Sequence, residues 1–579
     1  MAYFPQEVVE YILGYVTSHR DRNAASLVCR AWYNIERHGR RSVLVSNCYA
    51  VRPERVHMRF PNMRALSVKG KPHFADFNLV PAGWGAAAEP WVDVCARACP
   101  GLEELRLKRM VVTDECLKLL SCSFTNFKSL VLVCCEGFST AGLANIATNC
   151  RFLKELDLQE SCVKHQGHQW INCFPKPSTS LECLNFSCLT GEVNAVALEE
   201  LVARSPNLKS LRLNSSVPID VLPRILSRTP MLEDLGTGSF VLGNNAGAYI
   251  SLYRALGKCT LLKSLSGFWD APGLYVQGIL LPICKIYISL TCLNLSYAPL
   301  IQSDQLISIV RQCTRLHVLW VLDHIGDEGL KVVSYSCPDL QELRVYPSDP
   351  NAPARTTVTE EGLAAISFCR KLQCVLFFCD RMTNTALITI AKYCPLLTSF
   401  RLCILEPRSA DAVTGQPLDE GFGAIVQSCK GLRRFAMSGL LTDNVFLYIG
   451  MYAEKLEMLS VAFAGDTDDG MVYVLNGCKN LKKLEIRDSP FGDAALLAGA
   501  HRYESMRSLW MSSCEITLGA CKTLAATMPN INVEVISEAG ASVGATDDSV
   551  SNARKVDKLY LYRTIAGPRS DTLGFVSIL

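Results

Sequence analysis

Leu102-Glu103-Glu104-Leu105-Arg106-Leu107 is the stretch on which the fold turns, because its spacing, L-x-x-L-x-L, returns along almost the whole chain. It reads again as Leu153-Leu156-Leu158 and Leu481-Leu484-Ile486, and in altered form as Phe127 followed by Leu130-Val131-Leu132. First apolar positions fall at Met63, Leu102, Phe127, Leu153, Leu181, Leu208, Leu232, Leu262, Leu290, Leu316, Leu340, Leu372, Leu397, Leu432, Leu456, Leu481, Met506 and Ile531, a set of 18 anchors. Most steps between anchors span 24 to 30 residues, room for one strand, one turn and one helix such as 113–123 or 140–149.

A unit of that length cannot bury its apolar face alone, whereas stacked units with parallel strands share one continuous core. The expected fold class is α/β: a leucine-rich-repeat solenoid of about 18 repeats, bent into a near-closed horseshoe. Residues 44–579 belong to it.

Composition narrows the function. With 49% hydrophobic residues and a net charge of only +3 over 579 residues, bulk electrostatics do not favour nucleic acid, so any anion site must come from local clustering. The N-terminus has no basic and apolar leader pattern and no run approaches 18 apolar residues, which predicts a soluble intracellular protein with no membrane partner. Twenty-seven cysteines raise the question of disulfides or zinc. Nine of them, Cys99, Cys150, Cys259, Cys313, Cys337, Cys369, Cys394, Cys429 and Cys478, stand three residues before an anchor, once per repeat and without paired ligand spacing. They read as small buried hydrophobes in a reducing compartment, with no metal.

Residues 1–43 do not fit the repeat. Phe4-Pro5 leads into an amphipathic helix through Glu7-Val8-Val9, and Asp21-Arg22-Asn23-Ala24 opens a second helix carrying Leu27, Val28, Trp32 and Ile35. This pattern resembles an F-box, the all-α segment that docks substrate receptors on a Skp-type adaptor. The resemblance implies adaptor contacts at Phe4, Pro5, Val8, Leu27, Val28 and Trp32. The competing reading is that the helices only cap the apolar end of the first repeat.

Three steps are stretched, and the predicted inserts lie at about 69–98, 346–358 and 403–420. The first carries His73, Phe74 and Phe77, the second Tyr346-Pro347-Ser348-Asp349-Pro350, and the third Leu405-Glu406-Pro407-Arg408. Together they suggest a roofed pocket. Alternation within each strand places Lys69, Arg106, Lys108, Arg344, Arg401, Arg434, Lys483 and Arg487 on the open face of the sheet, with Arg109, Arg433, Lys482 and Arg507 one position to the side. Crowded like charges of this kind predict a polyanion partner, although ion pairs with acids such as Glu342 and Glu485 are the alternative. No phosphate loop, nucleophile elbow or H-E-x-x-H is present, and His73 reads as a pocket wall more readily than as an acid or base.

The strings K-G-K-P-H-F-A-D-F-N-L-V-P from Lys69, L-R-L-K-R-M-V-V-T-D from Leu105, S-L-S-G-F-W from Ser264, R-L-C-I-L-E-P from Arg401, S-G-L-L-T-D from Ser438, L-S-V-A-F-A-G-D from Leu459 and M-R-S-L-W-M-S-S-C from Met506 are similar to those of the plant auxin receptors of the transport inhibitor response / auxin-signalling F-box family. The tail Lys555-Val556-Asp557-Lys558-Leu559-Tyr560 resembles the second and third auxin-signalling subgroup. The resemblance implies a non-catalytic, nuclear substrate receptor of an SCF-type ubiquitin ligase. In such a receptor auxin, an indole carboxylate, fills the gap beneath the degron of an Aux/IAA repressor. It assigns the carboxylate to Arg401, the ring to His73, Phe74 and Phe77, the indole N–H to the Leu402 carbonyl, and the rest of the pocket to Arg434, Ala436, Ser460, Ala462 and Glu485. The degron packs on Phe77, Leu376, Phe378, Cys403, Met437 and Phe463. Inositol hexakisphosphate, a structural cofactor, meets Lys69, Lys108, Arg109, Arg344, Arg401, Arg408, Lys482, Lys483 and Arg507.

There are departures from the family pattern. Ala436 stands where the founding member has a serine, Ser399 and Lys482 each replace an arginine, and Met437 replaces a leucine. Two other functions compete: an F-box receptor for a phosphorylated partner, which has no need of a roof of Phe74 and Phe77, and a receptor for another hormone of jasmonate type, against which the K-P-H-F-A-D-F loop argues. Residues 537–554 read as a flexible insert with no assigned role.

Overall fold

The computed structural model of the protein describes residues 5–77, 80–81, 83–167, 169–239, 247–269, 286–349, 356–537 and 552–579, with the side chains of 76, 77 and 247–249 left aside. Phe4 and the insert 538–551 lie outside the described residues. The chain divides into two compact units: Met1–Gly238 with Arg569–Asp571, and Ser239–Pro568 with Thr572–Leu579.

The first unit begins with three helices, Gln6–Tyr15, His19–Ala25 and Arg30–Gly39. The single second helix expected through Leu27 and Ile35 is therefore two. Ser26 closes the first by donating to the Asn23 carbonyl, and Cys29 opens the next, its Sγ accepting from the Trp32 N–H. Leu27 and Val28 are left in the intervening turn, 84% and 63% exposed. Val9, Leu13 and Ile35 form a small core with Trp32 packed against it. Glu36, fully buried, ties these helices to the start of the repeat region by ion pairs with Arg40 and, at 3.0 Å, with Arg59 of the helix Pro53–Arg59.

From Ser42 a parallel ladder runs through Ser42–Val45, Ala65–Lys69, Glu104–Lys108, Ser129–Val133, Glu155–Gln159, Cys183–Asn185, Ser210–Arg212 and Asp234–Gly236. The strand Ser42–Val45 precedes the first anchor and lacks the L-x-x-L-x-L spacing, so the repeat count missed it.

In the second unit the ladder pairs Ser264–Ser266 with Cys292–Asn294 and continues in register through Val318–Leu322, Glu342–Tyr346, Cys374–Cys379, Ser399–Ile404, Arg434–Met437, Met458–Ala462, Lys483–Arg487 and Ser508–Ser512. Its end departs from the parallel expectation. Lys558–Arg563 lies antiparallel between Ser508–Ser512 and Ile531–Ile536, and Val576–Ile578 adds a further antiparallel strand. A parallel ladder needs an open edge to be covered, and the tail supplies the cover.

All 18 anchors are at most 6% exposed, which is the shared core that the periodicity implied. Two ladders of polar contacts join the repeats. The cysteine thiols after the helices stack: Cys337, Cys369, Cys394 and Cys429 each donate to the carbonyl of the preceding cysteine in the series, at 3.2 to 3.7 Å. Burial pushes these four thiols up to about 12, so they stay protonated donors.

The second ladder is acidic. An aspartate in the first turn of one helix accepts the backbone N–H and hydroxyl of the Ser or Thr that caps the next helix: Asp114 with Ser139, Asp327 with Thr359, Asp419 with Thr442, Asp493 with Thr517. Gly362 completes the Asp327 site by donating its N–H at 3.0 Å, and a Cβ there would lie 2.5 Å from Asp327 Oδ1 and 2.6 Å from Leu330 Cδ1. Gly362→Ala is expected to destabilise the chain by about 2–4 kcal/mol, combining overpacking with loss of charge-assisted hydrogen bonds. Denaturant unfolding checks this, and an unchanged midpoint would mean that Asp327 moves aside without cost.

Candidate functional site

Parallel register turns single alternating positions into rows across the open face of the second unit. One row reads Trp320, Arg344, Leu376, Arg401, Ala436, Ser460, Glu485, Trp510, each residue opposite the next on the neighbouring strand. The adjacent row reads Glu342, Cys374, Ser399, Arg434, Met458, Lys483, Ser508. Farther along the strands Phe378 lies opposite Cys403, and Ala462 opposite Arg487. The predicted residues Leu376, Arg401, Ala436, Ser460 and Glu485 thus occupy consecutive places on a single line.

Their electrostatic states differ. Arg344 is occupied: its Nε meets Glu342 at 2.7 Å and its guanidinium lies 4.0 Å from the Trp320 ring centroid. Lys482 pairs with Glu457 at 3.1 Å, and Arg433 with the same carboxylate at 2.9 Å. Burial pushes Glu457 up, but the Lys482 hydrogen bond and the charges of Lys482 and Arg433 outweigh it and hold the carboxyl below its ordinary value. By contrast the Arg401 side chain, partly buried between Leu376 and Ala436, has no hydrogen bond or ion pair among the described residues, and the exposed side chains of Arg434 and Arg507 have none either. Burial pushes the Cys403 thiol up, with Arg487 and Arg401 acting against it, so Cys403 is a neutral, partly buried surface.

Phe463 closes the far end of this face. It follows the strand Met458–Ala462 with a left-handed backbone, φ 56°, and its ring lies 5.5 Å from the Arg487 guanidinium and 6.0 Å from that of Arg408. A bulky residue in that conformation is strained and persists because the next strand holds it, the Phe463 N–H donating to the Arg487 carbonyl. Two predicted residues point elsewhere. Met437 is 3% exposed and falls on the core-facing alternation opposite Val461; the Leu402 side chain is buried at 3%, which leaves its backbone for the role expected of it.

In the first unit, Lys69 and Lys108 are paired in register and partly buried, and Arg106 is exposed. Arg109 is 6% exposed, left-handed at φ 55°, with Nε donating to the Lys71 carbonyl, so it braces the insert more than it extends the cationic floor. The insert itself forms a 3-10 turn over His73–Phe77 in which Phe74 is buried and His73 partly exposed, their rings 6.5 Å apart. The helix Glu89–Ala98 takes up the last third of 69–98. In the third insert Asp411 folds back, its carboxylate accepting from the N–H groups of Asn384, Val413 and Thr414.

Reading for charge passed over the aromatics. Trp320 and Tyr346 satisfy the same alternation as Arg344 and make an edge-on pair at 6.5 Å, and Tyr346 stacks with Phe378 at 6.5 Å, so an aromatic band flanks the cationic row. Alternation applied to every side chain finds them.

The helical N-terminus matches the F-box family over residues 1–42, and residues 61–107 match the family described as the transport inhibitor response 1 protein domain. Across 578 residues the chain is 70% identical to a transport inhibitor response 1-like protein of Oryza sativa subsp. japonica, covering 100% of both chains. It is 51% identical to GRR1-like protein 1 of Arabidopsis thaliana, over 99% of this chain and 96% of that one. Coronatine-insensitive protein 1 of Arabidopsis thaliana is 30% identical over 99% and 96%. The chain belongs to the transport inhibitor response 1-like family of plant F-box, leucine-rich-repeat proteins.

Proposed function

We propose that this protein is an auxin receptor and the substrate-recognition subunit of an SCF-type E3 ubiquitin ligase, non-catalytic and nuclear, which captures Aux/IAA repressor degrons when auxin is bound. Arg401 carries the reading. A guanidinium held partly out of water with no partner among the described residues is an open fork for a carboxylate, and its row neighbours Leu376 and Ala436 offer apolar flanks. Leu376, Phe378, Cys403 and Phe463 line the same face as a wall for an apolar peptide. His73, Phe74 and Phe77 keep the ring-holding role implied by the resemblance. No bond on the hormone changes; it adds contact area, so its differential affinity for the degron-bound state drives capture.

An inositol polyphosphate fits the same surface. Arg401, Arg434 and Arg507 have no ion pair among the described residues, whereas Arg344 and Lys482 are already engaged by Glu342 and Glu457, so the surplus positive charge is uncompensated. Arg344, Arg401, Arg408, Lys482, Lys483 and Arg507 of the second unit would hold inositol hexakisphosphate, whose phosphates supply that compensating charge.

The test is capture of a repressor degron peptide by the purified receptor with its Skp-type adaptor, with and without indole-3-acetic acid. Hormone-enhanced capture supports the reading, and equal capture without hormone defeats it. At Ala436, opposite Arg401, a hydroxyl would add a hydrogen bond for a carboxylate. Ala436→Ser is expected to lower the half-maximal hormone concentration by roughly tenfold, the equivalent of about 1.4 kcal/mol and close to the lower end for one hydrogen bond to a charged group. An unaltered dose curve would show that water already fills that place.

A further inference from the structure

The inserted segment after the strand Ala65–Lys69 leaves the sheet at Gly70 and comes back at Ala87, which makes an isolated parallel bridge with Val111. Its two arms touch. A Cβ on Gly70 would lie 2.8 Å from the Ala86 Cβ and 2.4 Å from the Arg109 carbonyl oxygen, so the neck closes only with glycine at position 70. Between the arms is the His73–Phe77 turn.

The returning arm is pinned by Tyr49 and by two residues from the far end of the chain, Arg569 and Asp571. The Ala86 N–H donates to the Tyr49 hydroxyl at 2.6 Å and to Asp571 Oδ2 at 3.1 Å, and the Tyr49 hydroxyl donates to the same carboxylate oxygen at 2.8 Å. Arg569, 8% exposed, lies 4.7 Å from the Tyr49 ring centroid and 4.4 Å from that of Trp84. Its Nη1 donates to the Trp84 carbonyl at 2.6 Å, to the Tyr49 hydroxyl at 3.0 Å and to Asp571 Oδ1 at 3.3 Å.

Backbone strain marks the same place. Gly85 has φ 94° and Ala86 φ 64°, and a Cβ on Gly85 would fall 2.1 Å from Asp571 Oδ2, so the carboxylate sits where a side chain would otherwise be. Alanine rarely adopts that conformation, and here it is held by the bonds its N–H makes. All of these residues belong to the first compact unit, although the chain on either side of Arg569–Asp571 belongs to the second.

We propose that Arg569-Ser570-Asp571 is a latch that locks the neck of this loop and so sets the His73–Phe77 turn, making Arg569 and Asp571 positioning residues for hormone-dependent degron capture. The inference rests on the function proposed above. Without the latch Ala86 relaxes to an ordinary backbone, the neck opens, and any ligand must order the turn as it binds, which costs affinity.

The test uses the full chain with its adaptor and two readouts: amide hydrogen exchange without hormone, and degron capture against indole-3-acetic acid concentration. In Arg569→Ala, amides at 84–86 and 73–77 are expected to exchange roughly tenfold faster, with the strand Glu104–Lys108 and adaptor binding unchanged, and half-maximal hormone is expected to rise about tenfold. Arg569→Lys, which keeps a cation over the rings but loses the fork, falls between. Unchanged exchange at 84–86 in Arg569→Ala overturns the latch, as does faster exchange with an unmoved hormone curve. Should Arg569→Ala disturb the whole unit, Tyr49→Phe removes only the hydroxyl: local acceleration at 84–86 supports the latch and none overturns it. If the wild type shows no hormone-enhanced capture, the proposed receptor function fails on its own, and the exchange comparison still decides whether the neck is latched.

Discussion

Arg401→Ala is expected to abolish hormone-enhanced degron capture. Truncating one partner of a desolvated, hydrogen-bonded charge pair costs about 2–5 kcal/mol, which is roughly 30-fold to several thousand-fold in affinity. The upper part of that range applies if the indole carboxylate, left without its fork, is still enclosed by Leu376 and the apolar face beside it. The chain itself should hardly notice the change. The Arg401 side chain makes no hydrogen bond or ion pair among the described residues, so the free energy of unfolding should stay within about 0.5 kcal/mol of the wild type. Arg401→Lys retains the charge but not the planar pair of donors, and should recover only part of the response.

Because Arg401 is proposed to face both hormone and cofactor, Arg507→Ala is the necessary companion. Its side chain is exposed and outside the row that contains Arg401, so it should weaken inositol polyphosphate binding while leaving the shape of the hormone response intact. An Arg401→Ala protein that still responds fully to indole-3-acetic acid would remove the carboxylate fork from the proposal. Capture that instead requires a phosphorylated partner and ignores hormone would point to the cationic floor as the binding surface.

The second large effect is expected at the other end of the chain, where Leu27→Asp should eliminate adaptor binding. Leu27 and Val28 lie in the turn between His19–Ala25 and Arg30–Gly39, and Tyr11, Ile12 and Tyr15 on the first helix are 52% to 70% exposed. A concentration of apolar side chains in water on helices this short has the character of an unoccupied interface, and it speaks against helices that serve only to cap a repeat. Placing a carboxylate at the centre of such a patch should cost more than about 3 kcal/mol, over a hundredfold, combining a lost anchor with a buried unpaired charge. Since Leu27 contributes so little to the internal core of Val9, Leu13 and Ile35, the variant should fold normally and still bind degron in the presence of hormone. Copurification with a Skp-type adaptor measures the first part and degron capture by adaptor-free receptor the second; retained adaptor binding would move the docking surface off this turn.

Several features of the site were legible residue by residue. The anchor spacing places Arg401, Ala436, Ser460 and Glu485 on the open face, because alternation along a strand is a local property, and parallel register then aligns them. The same rule applied too narrowly missed Trp320 and left Tyr346 to an insert, although it ends the strand Glu342–Tyr346 and both rings flank the cations. It also places Met437 in the core, a position that resemblance alone did not reveal. Burial of Arg109 came from its left-handed backbone and its bond to the Lys71 carbonyl, neither of which has a periodic signal. The aspartate ladder leaves a trace in the sequence, an acid in one helix and a Ser or Thr cap in the next, with a glycine three residues on at the Asp114 and Asp327 sites, but the partners sit a full repeat apart and only stacking makes them a pair.

By itself the sequence determined the repeat, the identity of the core face, the helical N-terminal module and the family, since each of these follows from spacing and residue type within a few dozen positions. Tertiary structure alone decided which arginines remain unengaged, because Arg344 loses its freedom to Glu342 and Trp320 while Arg401, one strand beyond Leu376, does not. It likewise decided that the tail strand Lys558–Arg563 inserts antiparallel before Ile531–Ile536, and that Arg569 and Asp571 clasp Tyr49 and Ala86. The reason is common to all three: a charge is satisfied, a strand paired or a loop pinned by whichever partner arrives in space, and folding brings those partners from sequence distances that no local pattern encodes.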